Sequence, residues 1–177
     1  MRLIASPAWP FTLAEAKKHL RVDFDDDDDL ITIYADAAIA AVDGPNGMTK
    51  RPLMAQTWEE DFAAFPSGAI TLPLTPVLSV ASITYDDADG DSQTLDSSAY
   101  TVGTTSVSPV DGWPDGAAVT VQWRAGLAEC PADIKAAVLL VLGHLYANRE
   151  TVAESLEELP MAARWICGRY RRHVLAS

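Results

Sequence analysis

The stretch CPADIKAAVLLVLGHLYANRE, residues 130–150, narrows the choice of fold more than any other part of the chain. Pro131 suits a first helical turn, and Asp133 suits the positive end of a helix dipole. Ile134, Val138, Val141, Leu142 and Leu145 recur at helical spacing, Leu139 and Leu140 point elsewhere, and Ala136 and Gly143 are small. A helix apolar nearly all round must be covered on most sides. It is either the central element of a helical core or a core element that also meets a neighbouring subunit. His144, inside the apolar run, reads as a core or interface residue.

Other helices must supply the cover. TLAEAKKHL carries Thr12 three residues before Glu15, a capping box. In DFDDDDDLITIYADAAIAAVDGPNG, the residues Leu30, Ile33, Tyr34, Ala37, Ala38, Ala41 and Val42 define an expected apolar stripe. Asp27–Asp29 suit its N-terminus, and DGPNG ends it. Between these helices and residue 130 the period changes. QTWEEDF, AITLPL, VASITYDD, AYTVG and AVTVQWRAG are short, rich in β-branched and aromatic residues, and separated by turn chemistry. Val119, Val121 and Trp123 alternate with Thr120, Gln122 and Arg124, and Asp89-Gly90 is a hairpin turn. The expected class is α+β: a single domain over residues 1–177, helical over 12–45 and 130–175, with a small antiparallel β unit inserted over 52–125.

The chain has a formal net charge of −12, yet it ends on arginines. Arg164, Arg169, Arg171 and Arg172, with His173, lie in a segment without carboxylates, so all 25 acidic residues precede it. A last helix is expected over Met161–Leu175, about 22 Å long. Ala162, Trp165, Ile166, Tyr170 and Val174 share its apolar side, which also takes in Arg169 and His173, with Arg164 and Arg171 opposite. Such a helix is marginal alone in water. It either lies over its own domain, pairing with that domain's acids, or docks on another protein through the Trp, Tyr and Arg side chains that interfaces favour.

Several function classes are excluded or disfavoured. The acidic balance argues against gripping DNA by its phosphates. No apolar run reaches the roughly 18 residues of a membrane span, and MRLIASPAWP lacks a leader's apolar region, so a cytoplasmic site of synthesis is expected. Cys130 and Cys167 have no metal or framework spacing and are expected to be reduced. Counting from Asp25, an EF-hand loop would need Gly where Leu30 stands and Glu where Asp36 stands, so DFDDDDDL is a solvated helix start. His19, His144 and His173 accompany no hydrolase, zinc or phosphate-loop motif. Glu59-Glu60 and Asp86-Asp87 are strand neighbours, whose side chains point to opposite faces.

The ordered set FTLAEAKKHLRVD, LPLTPVLSVASITYDD, VTVQWRAGL, CPADIKAAVLLVLGHLYANRE and LP…RYRR resembles the head–tail connector (adaptor) proteins of tailed bacteriophages and phage-derived gene transfer agents, over about residues 12–172. The resemblance implies a helical core with an inserted β unit and a structural role without catalysis, cofactor or metal. It implies a ring of copies, commonly dodecameric, beneath the portal protein at the head–tail junction of the virion. Such a ring extends the DNA channel without specific DNA binding, uses no membrane, and offers a platform to the next tail-completion (stopper) protein. Portal contact then falls to Arg164, Trp165, Arg169, Tyr170, Arg171, Arg172 and His173. Subunit contact falls to Leu139, Leu140, Gly143 and His144 of the apolar helix. Two alternatives stand beside this reading. One is a head-closure (stopper) or tail-terminator protein. The other is a small enzymatic or ligand-binding β module with its site among Trp58, Trp113 and Trp123.

Overall fold

Four α-helices and eight β-strands make up the fold in a computed structural model that describes residues 1–149 and 160–171. In chain order they are β1 (Arg2–Ala5), α1 (Leu13–Leu20), α2 (Asp28–Val42), β2 (Gln56–Ala64), β3 (Ile70–Thr71), β4 (Val77–Asp86), β5 (Ser92–Thr94), β6 (Tyr100–Val102), β7 (Ser106–Pro109), β8 (Ala117–Ala125), α3 (Ala132–Ala147) and α4 (Met161–Gly168). They divide into two compact units. One joins Met1–Ala8 to Met54–Glu129, and the other joins Trp9–Leu53 to the chain from Cys130 onward.

The β unit holds a five-stranded antiparallel sheet in the order β1-β2-β8-β4-β5 and a three-stranded sheet in the order β3-β7-β6. The alternation read in the sequence is realised on β8, where Val119, Val121, Trp123 and Ala125 are buried and Arg124 is exposed. Trp123 pairs in register with Trp58 of β2, and its indole N–H donates to the Leu74 carbonyl at 3.2 Å. Around these two packs a cluster that includes Ile70, Leu72, Ile83 and Val107. The β4–β5 hairpin closes as expected. The Asp87 carboxylate accepts the N–H groups of Asp89 and Asp91, each at 3.0 Å, and the Gln93 amide at 2.8 Å. Two strands carried no usable signal. β1 is four residues long and exposed throughout, and β7 is split from its neighbours by short polar turns.

The helical unit is arranged around α3, which packs against α1, α2 and α4. Ile134, Ala137, Val138, Val141 and Leu142 are fully buried there, so α3 is the central core helix. The capping box at Thr12 forms: Glu15 N–H donates to Thr12 Oγ1 at 3.2 Å, and Thr12 N–H to the Glu15 carboxylate at 2.8 Å. On α2 the buried face is Ile31, Ala35, Ala38, Ile39 and Val42. This corrects the expected stripe by about one residue: Ile33 is 62% exposed and Ala37 faces solvent. The cause is that α2 is rich in alanine on every side, so its apolar pattern has little phase. The face is chosen by α3.

The acidic run before α2 serves as a set of clasps. Lys17 pairs with Asp25 at 2.5 Å and Asp28 at 2.7 Å. Asp27 accepts from the Tyr146 hydroxyl and from Arg149 at 2.6 Å, fastening the start of α2 to the end of α3. No group of carboxylates, His or Cys suited to a metal occurs among the described residues. The Tyr146 hydroxyl first and then Arg149 hold the Asp27 carboxyl below its ordinary value. A carboxyl lowered on folding stabilises the fold above its unfolded value near pH 4, and that contribution is lost as pH falls through the lower folded value. Asp27→Asn is therefore expected to have a lower melting temperature at neutral pH and a shallower loss below about pH 4 than the parent chain. Thermal unfolding followed across pH measures both.

Candidate docking helix

Pro160 opens α4, and its fixed backbone suits a helix start. Ala163 and Cys167, four residues apart and both small, are buried, which lets α4 lie close on α3. Ile166 and Tyr170 are half-buried on the same side. Arg164 and Gly168, four residues apart, form a second face, and Arg171 beyond the helix end lies on the same side. Met161, Ala162 and Trp165 form a third, with Met161 77% and Trp165 70% exposed. The expected apolar side is thereby corrected: Ala162 and Trp165 face outward, and Ala163 and Cys167 take the inner positions.

The expected length is corrected as well. The helix stops at Gly168, Arg169 and Tyr170 turn, and Arg171 is not helical. Glycine weakens the helix at that point, and the side chains that follow are held by Asp133 in the first turn of α3. The Asp133 carboxylate accepts from Arg169 Nη2 at 2.7 Å and from the Tyr170 hydroxyl at 2.9 and 3.1 Å. This acceptor raises the tyrosine's pKa. Arg169 also stands over the Trp165 ring, 5.0 Å from its centroid. Arg169 and Tyr170 thus fasten the end of α4 to its own unit, while the Trp165 ring faces outward beside Arg169. Arg172, His173 and Val174 lie outside the described residues. Sequence reasoning gave Asp133 only a dipole role, because nothing local to it announces a partner 36 residues away.

The four α3 residues expected at a subunit contact, Leu139, Leu140, Gly143 and His144, are all half-buried. Gly143 lies under α1, where a Cβ would stand 3.4 Å from His19 Nε2. Burial pushes the Cys130 and Cys167 thiols up to about 11, so both are protonated at neutral pH and are poor nucleophiles. The aromatic alternative loses its site. Trp123 is fully buried and Trp58 nearly so, and Trp113 stacks on Phe65 with centroids 5.1 Å apart and donates its N–H to Gly68 O at 2.6 Å.

Among the described residues, a helical unit interrupted in sequence by a β unit carries an outward tryptophan on its last helix. Solved chains with this fold are found in gene transfer agent particles. A chain in the neck of an empty particle, computed with sixfold cyclic symmetry, matches with a TM-score of 0.74 at 23% identity. A chain in a native virion matches with the same values, and one in a native neck with twelvefold symmetry matches at 0.71 and 22%. Each alignment covers 100% of this chain and 99% of the other. No curated protein matches the sequence. The family profile described as phage gp6-like head-tail connector protein matches residues 11–124, and the chain belongs to that family. It is a structural head–tail connector.

Proposed function

We propose that the chain assembles as a ring at the neck of a phage or gene transfer agent particle, beneath the portal protein, and docks there through α4. The ring extends the DNA channel and presents a platform to the next tail-completion protein. Its support is the full-length likeness to chains in necks of sixfold and twelvefold symmetry. The docking part rests on one observation: Trp165, 70% exposed, stands with Met161 on a face of α4 that the described residues of the helical unit do not cover. Trp is the residue type that most often carries interface energy. The Asp133 clasp on Arg169 and Tyr170 keeps the helix end in place and so presents that face. Arg172 and His173 follow Arg171 in the same basic stretch of the sequence and are assigned to the same contact. Leu139, Leu140 and His144 are available for contact between copies. The acidic body repels DNA phosphates and so lets the duplex slide.

Trp165→Ala combined with Met161→Ala tests the docking assignment. Binding to portal-bearing particles, read by co-sedimentation, is expected to fall at least about 30-fold, the loss of one interface hot spot. Stability in urea should change by no more than about 0.5 kcal/mol, since both side chains are exposed. Undiminished attachment would remove α4 from the portal contact.

A further inference from the structure

The Asp43–Leu53 loop is rigidly built. Asp43 is buried, and its carboxylate accepts the N–H groups of Leu53 at 2.6 Å and Gly44 at 2.8 Å. The Thr49 hydroxyl donates to the Val42 carbonyl at 3.0 Å. Gly47 is required for this tight path, because a Cβ there would stand 2.4 Å from the Asp43 carbonyl oxygen. Between this loop and the second face of α4 lies a cleft of about 530 Å³, lined by Lys50, Arg164 and Arg171 together with Asn46, Met48 and Gly168. Three cations around one concavity are an exception in a chain of net charge −12. Lys50 and Arg171 are exposed, and among the described residues Lys50 reaches only the Asn46 carbonyl, at 3.4 Å.

The cleft stands at the C-terminal end of α2, beside Ala41. At the other end of that helix, about 22 Å away over 15 residues, lies the acidic run. Asp25, Asp27 and Asp28 are committed to Lys17, Arg149 and Tyr146. Asp23, Asp26 and Asp29 are exposed and have no cation partner among the described residues. Poles of opposite charge at the two ends of one rigid helix cannot meet within a copy. They can meet between copies placed head to tail, and a cyclic ring is built from such contacts between unlike patches.

We propose that the basic cleft receives the acidic start of α2, Asp23, Asp26 and Asp29, from a second copy of this chain. The proposal rests on the ring reading above and names the contact that closes the ring. It gives Lys50 and Arg171 to the neighbouring copy and leaves the Trp165 face for the portal. Duplex DNA is the weaker occupant, because the net charge repels it and three cations offer little phosphate affinity.

The test uses the full-length chain in low salt. Lys50→Glu with Arg171→Glu, and separately Asp26→Lys with Asp29→Lys, should each weaken self-association about tenfold by sedimentation, two partly exposed pairs being lost in each. Mixed together, the two variants should associate again, because each supplies what the other lacks. Zero-length carbodiimide coupling of unlabelled and heavy-isotope chains should join Lys50 of one copy to the 23–29 segment of another. Failure of the mixture to associate would overturn the contact. So would a parent chain that stays monomeric under these conditions, although the connector reading, tested through Trp165, would stand. Unchanged self-association with loss of inorganic phosphate or duplex DNA binding would make the cleft a phosphate site and overturn the proposal.

Discussion

Trp123→Ala will lower the stability of the β unit by about 3–5 kcal/mol, the cost of removing a buried aromatic and leaving a cavity. Trp123 is the largest fully buried side chain among the described residues, and it faces Trp58 across the β2–β8 pair. Removal also leaves the Leu74 carbonyl without its indole donor. Unfolding in urea, followed by tryptophan fluorescence and by far-ultraviolet circular dichroism, measures the loss. A change below about 1 kcal/mol would mean that the two sheets do not share this core.

Gly126→Ala should be comparably damaging, at about 3 kcal/mol or more, although it adds only a methyl group. Gly126 has φ of +128°, which L side chains rarely adopt. A Cβ there would also meet the Met54 carbonyl oxygen at 2.5 Å and its carbon at 2.7 Å, both backbone atoms that cannot rotate away. The residue sits just past β8, where its N–H donates to the Pro76 carbonyl at 2.9 Å. Strain and clash thus act together at the point where β8 leaves the sheet. The same urea measurement checks it. An unaltered midpoint would show that the turn can be rebuilt without cost.

These two positions also show what was readable in advance. The burial of Trp123 follows from alternation along β8, since strand neighbours face opposite ways. The hairpin at Asp89-Gly90 and the capping box at Thr12 were legible for the same reason: both are short-range chemistry, complete within a few residues. The need for glycine at 126 was not legible, because the atom that forbids a side chain belongs to Met54, far away in the sequence. β1 escaped notice because its pairing with β2 depends on residues more than fifty positions later.

The candidate site divides in the same way. That a tryptophan-bearing helix begins at Met161 was plain from its residues, although it stops at Gly168, short of most of the arginines. Which of them face outward was not. The helical period orders side chains around an axis but does not say which direction is inward when alanine and cysteine compete with tryptophan for that place. Packing on α3 settled it by admitting the two small residues and leaving Trp165 outside. Asp133 then drew Arg169 and Tyr170 inward. Hydrophobic period, caps and turns act locally, so the helices, the strands other than β1 and β7, and the family could be read from the residues alone. Only the tertiary structure decided the faces and the ion-pair partners, because those depend on atoms brought together from opposite ends of the chain.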